Sequence, residues 1–195
     1  MHLFKHVLIF VDTPISYSSI SFSSCENVMM RGLFAIMMLM FHVHGIPQEK
    51  DQNLIKTTCR NTPNYQLCIS TLTADPTSIN DDVAGLGLIM VAAVKAKAKE
   101  TMKAIKKLMV SRPELRNALN DCFDRYKAIL VGDVPEAEEA LRGNPKFAEN
   151  SMADSSIEAV ACEQNFRKVK SPLTGLNNAM RDLSDVARAI IRNLL

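Results

Sequence analysis

The sequence predicts an all-α protein: an up-down-up-down four-helix bundle with an N-terminal helical hairpin and two disulfides. Three observations predict it. Apolar residues recur at steps of three and four along four long segments, which is the spacing of one helix face. Prolines and glycines fall mainly between those segments, where helices start and stop. Four cysteines, Cys59, Cys68, Cys122 and Cys162, sit inside or next to predicted helices, a pattern of an oxidised and therefore secreted chain.

The 195 residues are enough for one domain with a sizeable core. A net charge of +2 is too small to argue for nucleic acid or an anionic membrane, and 47% hydrophobic residues exclude a disordered chain. The division expected is 1–45, an N-terminal extension plus signal peptide, and 46–195, the folded domain. Met30-Arg31 is a short basic start, Leu33 to Phe41 is an apolar run too short for a good membrane span, and Val43-His44-Gly45 suits a cleavage site. A start at Met29 or Met30 would leave the upstream residues outside the gene product. Cleavage near Gly45 removes Cys25 and all four histidines, and it leaves an even number of cysteines.

Asp51–Asn61 reads as the first short helix. Thr62-Pro63 reads as an N-cap and first helical residue, opening a second helix over Asn64–Thr73. A long helix is expected over Asp81–Val110, with Met90, Val91, Val94, Ala98, Met102, Ile105, Leu108 and Met109 on one face. Lys95, Lys99, Lys103 and Lys106 occupy a neighbouring arc. Arg112-Pro113 ends it, because the residue before proline disfavours the α conformation. The next helix carries Leu115, Ala118, Leu119, Cys122, Tyr126 and Ile129. Gly132 and Pro135 predict a kink or break before Glu136–Leu141, and Gly143 a stop.

Asn144-Pro145 then reads as cap plus first residue of a helix with Ala159, Cys162, Phe166 and Val169 on one face. Its middle, Ser151 to Ser156, is weakly patterned and expected to be loose. Ser171-Pro172 opens the last helix in the same way. Its core stripe is Leu173, Leu176, Met180, Leu183, Ala187, Ile190 and Leu194; Arg181, Asp185, Arg188 and Arg192 fall on the outer face, with Arg181 and Asp185 placed to pair. Short connections favour antiparallel neighbours. Four cysteines allow about three pairings. Proximity favours Cys59 with Cys68, and Cys122 with Cys162 would then tie two bundle helices.

The sequence offers little for catalysis. With no histidine after residue 45, neither a Ser-His-Asp triad nor a Cys-His pair can be built, and four oxidised cysteines leave no metal site of the Cys/His type. No cofactor and no metal are implied. Gly85-Leu86-Gly87 lacks the rest of a phosphate-binding fingerprint and reads as a close-packing point. Glu136, Glu138 and Glu139 read as a solvated helix face, and so does the lysine arc, which has no interleaved aromatics.

Leu54-Ile55-Lys56-Thr57-Thr58-Cys59, Thr62-Pro63-Asn64-Tyr65, Cys68, the pair Cys122 and Cys162, and Leu183 to Ile190 together carry a resemblance. The chain from about Asp51 to Leu195 resembles the plant invertase and pectin methylesterase inhibitor family. The resemblance implies a four-helix bundle with a hairpin and two disulfides, no enzymatic activity, and a secreted protein of the apoplast or cell wall, or of the vacuole, with no membrane after signal cleavage. It implies an enzyme partner: an acid invertase of the cell-wall or vacuolar type, or else a pectin methylesterase. Pro145-Lys146-Phe147 stands where the invertase branch carries the tripeptide it inserts into the enzyme's cleft, so these three are the candidate partner-binding residues. The same residues also make an ordinary helix start: proline, solvated lysine, core aromatic. A helical binding or signalling module without an enzyme target is the alternative of a different class.

Overall fold

The computed structural model describes residues 48–166 and 169–195, all within the compact unit Ile46–Leu195. The expected leader, 1–45, lies outside the described residues. A hairpin of α1 (Gln48–Arg60) and α2 (Tyr65–Ala74) leads into α3 (Val83–Ser111). α4 (Arg116–Ala128) and α5 (Val134–Ala140) form one limb, followed by α6 (Pro145–Gln164) and α7 (Thr174–Ile191). Short 3-10 turns lie before α3 and α4 and after α7. Among the described residues every regular element is helical. The limbs close a ring: α3 packs on α4, the α4–α5 limb on α6, α6 on α7, and α7 back on α3. This is the predicted four-helix bundle, with the hairpin lying against α3 and α7.

The core follows the apolar stripes. Met90, Val91, Val94, Ala98 and Ile105 of α3 are buried, as are Leu119, Cys122 and Tyr126 of α4 and Met180, Val186, Ala187 and Ile190 of α7. Gly85 and Gly87 are also buried on α3. A Cβ on Gly87 would lie 3.1 Å from Leu141 Cδ1, a tight contact to which the Leu141 side chain would have to yield. Cys59 bonds to Cys68 and Cys122 to Cys162, with Cα–Cα separations of 5.5 and 4.7 Å. The first bridge closes the hairpin and the second joins α4 to α6.

Five local expectations need correction. Thr62 does not cap α2; its hydroxyl turns back to the Cys59 carbonyl, and Asn64 caps instead, its Oδ1 accepting from Leu67 N. The limb does not break at Gly132 and Pro135. Residues Ile129–Asp133 widen into a π turn, in which Val134 N donates to the Ile129 carbonyl. That extra residue in the turn makes room for a proline ring that would clash in a regular α ladder. Ser151–Ser156 is regular helix, with Ser151, Met152, Ser155 and Ser156 buried. Ser151 Oγ donates to the Phe147 carbonyl and Ser155 Oγ to Asp133 Oδ2, so these hydroxyls are satisfied inside the bundle. α6 ends at Gln164, which leaves Val169 51% exposed rather than on its core face. Ser171 and Pro172 precede α7 by a turn, in which Ser171 Oγ accepts from Leu173 N.

A polar network locks α4, α6 and α7 together. Tyr126 OH donates to Asn177 Oδ1 at 2.8 Å, and Asn177 Nδ2 donates to Glu163 Oε2 at 2.7 Å. Thr174 Oγ1 donates to the other Glu163 oxygen. Burial pushes the Tyr126 hydroxyl far above its usual range, so it stays a donor.

Candidate functional site

The candidate tripeptide opens α6. Leu141–Asn144 turns the chain from α5, Asn144 N donates to the Ala140 carbonyl, and Pro145 occupies the first helical turn, where its missing N–H costs nothing. Asn144 stands at the cap position, but its side chain makes no cap bond. Lys146 is 59% exposed. Phe147, which the sequence could place either on a partner or in the core, is 53% exposed and outside the core. Its ring lines a shallow groove of about 280 Å³ with Ala140, Gly143, Asn144, Glu136 and Glu139. An apolar ring beside a lysine at a helix start is a compact protruding feature of mixed chemistry.

Beneath this tip lies a charge cluster that the sequence reading missed. Glu149, one turn after Lys146, is 1% exposed. Lys146 Nζ donates to its Oε2, while Arg188 Nε and Arg192 Nε both donate to its Oε1, at 2.9 and 2.8 Å. Arg188 and Arg192 therefore do not simply face solvent; they reach from α7 across to α6. The expected Arg181–Asp185 pair also fails to form, since Arg181 turns to Asp182 instead, at 2.8 Å. The Lys146 hydrogen bond, with those of the two arginines, overcomes burial and holds the Glu149 carboxyl at about 2. One buried carboxylate thus neutralises part of three cations, leaving net positive charge at the surface.

A sequence signal for the cluster existed. Lys146 and Glu149 stand three apart, and Arg188 and Arg192 stand four apart on the adjoining helix, each spacing being that of one face. A buried carboxylate is tolerated only when paired, so burial of Glu149 requires such partners. Other inter-helix ion pairs are more exposed: Lys95–Glu138 between α3 and α5, and Arg125–Glu158 between α4 and α6. Glu138 is thereby accounted for as a surface brace. Among the described residues there is no cluster of His, Cys, Asp and Glu able to hold a metal, and no helix long and apolar enough to cross a membrane.

Comparison with known proteins gives this arrangement its context. The family described as Plant invertase/pectin methylesterase inhibitor matches residues 53–190. The chain belongs to this family. It is 44% identical over 139 residues to the cell wall / vacuolar inhibitor of fructosidase 1 of Arabidopsis thaliana, covering 71% of this chain and 67% of that protein. It is 29% identical over 182 residues to a pectinesterase inhibitor of Actinidia deliciosa, covering 90% and 97%. A crystal structure of a mutant pectin methylesterase inhibitor from Arabidopsis superposes with a TM-score of 0.62 at 20% identity, over 71% of this chain and 95% of that one. At that identity the superposition establishes the shared fold and nothing finer. Pro145, Lys146 and Phe147 of this family member lie on the first turn of α6, with Lys146 bonded to Glu149.

Proposed function

We propose that this protein is a secreted, stoichiometric inhibitor of a plant acid invertase, with Pro145, Lys146 and Phe147 as the residues that enter and block the enzyme's cleft. The observation that carries the reading is the similarity to the Arabidopsis fructosidase inhibitor. The geometry of the α6 start agrees with it. Glycosidases that retain configuration set two carboxylates about an oxocarbenium-like transition state. An ammonium presented to such carboxylates makes charge-assisted hydrogen bonds in a partly desolvated cleft. Pro145 limits the backbone freedom lost on binding, and the exposed Phe147 ring offers apolar area at small entropic cost.

Lys146 is paired with Glu149 in the free protein, so engagement of an enzyme carboxylate requires it to swing outward. Arg188 and Arg192 remain on Glu149 when it does, and the buried carboxylate is never left without a cation. Release of the lysine therefore gives up one of three cationic contacts and keeps the other two. Residues 1–45 fit this reading as a leader removed on export, and apoplast or vacuole as the destination. Lys146→Glu should abolish inhibition of a purified acid invertase while leaving the fold intact. Inhibition by this variant at wild-type potency would eliminate the lysine mechanism.

A further inference from the structure

Next to the tripeptide lies a second feature. The end of α1 and the turn that follows it, residues 60–63, face the C-terminal half of α7 and its cap Arg192 across a groove of about 600 Å³, lined also by Asp185, Arg188 and Ala189. Three arginines, Arg60, Arg188 and Arg192, meet there, against one carboxylate, Asp185. Arg188 and Arg192 spend only their Nε atoms on Glu149. Among the described residues no protein group accepts from their terminal nitrogens, and neither guanidinium is buried, at 37% and 55% exposed. The buried Glu149 thus fixes two guanidinium groups from behind and leaves their forks toward solvent. Planar forks held in place match carboxylates bidentately, with little further ordering on binding.

We propose that Arg188 and Arg192, positioned by Glu149 and joined by Arg60, form a carboxylate-binding groove that docks an acidic surface segment of the enzyme partner beside the Pro145–Phe147 tip. The identity of the partner rests on the inhibitor reading; the anion chemistry of the groove does not. Two observations favour a protein segment over an acidic polysaccharide. The groove shares Glu149 with Lys146, which puts it within the footprint of whatever protein covers the tip. Asp185 interrupts the basic surface, which repels a uniform polyanion but leaves room for one or two discrete carboxylate side chains. Glu149 is in this scheme a positioning residue for both features.

The test uses the oxidised protein and two probes without enzyme, a hexaglutamate peptide and a galacturonate hexamer of equal charge, by titration calorimetry at low salt. The variants are Arg60→Gln, and Arg188→Lys with Arg192→Lys, which keeps charge on Glu149 but removes both forks. We expect the peptide to bind the wild type and the double variant to bind it about tenfold more weakly. The same variant should weaken binding to acid invertase about tenfold with unchanged helical content, and Arg60→Gln, which does not touch Glu149, should weaken both in the same direction with an unchanged thermal midpoint. Wild-type affinity of the double variant for invertase, alongside loss of inhibition in Lys146→Glu, would overturn the groove while sparing the inhibitor reading. Binding of the galacturonate hexamer but not the peptide would overturn the choice of a protein occupant. Arginine-dependent peptide binding by a protein that binds no acid invertase would support the groove and remove the enzyme as its occupant.

Discussion

Replacing Glu149 by Gln probes the link between fold and function most sharply. The carboxylate is 1% exposed and is held at about 2, from an ordinary 4.5, by Lys146, Arg188 and Arg192. Each unit of such a shift corresponds to about 1.4 kcal/mol, so the ionised form gains about 3 kcal/mol from its partners. The cations are partly exposed and recover hydration when the charge is removed, which reduces the expected loss to about 2 kcal/mol. In urea unfolding of the disulfide-intact protein at pH 7, with a slope of about 1.5 kcal/mol/M, the midpoint should fall by about 1.3 M. The matched control is Glu138→Gln, whose pair with Lys95 is 37% exposed on both sides; it should cost under about 0.5 kcal/mol. Because the folded pKa is depressed, the Glu149 contribution is present in full above about 4.5 and is lost as pH falls toward 2. Wild type and Glu149→Gln should therefore converge through that window. Equal losses for Glu149→Gln and Glu138→Gln at pH 7 would refute the reasoning that burial makes this carboxylate different.

Other consequences are open to measurement. The Asp133 carboxyl is pushed up to about 6, first by burial and then by Asp154, Glu158 and Glu136, against the pull of Ser155. A raised folded pKa means stability is lost as pH rises through about 6 and regained toward pH 4, by about 1–2 kcal/mol after screening; Asp133→Asn should flatten that part of the pH profile in urea melts. Removing the Cys122–Cys162 bridge, which spans 40 residues, should cost about 4 kcal/mol, and removing Cys59–Cys68, which spans 9, about 2.5 kcal/mol, as read from denaturation of serine pairs. Tyr126→Phe should cost about 1–2 kcal/mol by leaving Asn177 Oδ1 without its donor, measurable as a lower thermal midpoint. Glu136 and Glu139 rim the groove beside Phe147. They repel an acidic partner, so Glu136→Gln with Glu139→Gln should lower the dissociation constant for acid invertase, as read by surface plasmon resonance.

The bundle was legible because its causes are written locally. Stripes at steps of three and four on α3, α4 and α7 mark the faces that must be buried, and Pro113 and Pro145 mark where helices restart. The exceptions share a physical character: each is a polar or backbone detail settled by tertiary contacts. Gly132 and Pro135 look like a break, yet a π turn absorbs the proline while the limb stays packed on α6. Ser151, Ser155 and Ser156 weaken the apolar pattern, yet small side chains let α6 approach its neighbours, and Phe147 O and Asp133 take up two of the hydroxyl protons. Thr62 and Asn64 are both good caps, and only the position of the hairpin turn chooses between them. At the candidate site the sequence pointed to Pro145, Lys146 and Phe147 through the family resemblance. It did not show that Lys146 is tethered, because Glu149, Arg188 and Arg192 meet only after α6 and α7 pack.

The central claim is that the start of α6 blocks an acid invertase. The most direct measurement is inhibition of purified cell-wall invertase, vacuolar invertase and pectin methylesterase at pH 5 by the oxidised protein and by its Lys146→Glu variant. The account predicts stoichiometric inhibition of an acid invertase by the wild type, loss of that inhibition in the variant, unchanged helical content, and a lowered thermal midpoint from the lost Lys146–Glu149 pair. A folded wild type that leaves both invertases active, or that inhibits pectin methylesterase instead, would contradict it.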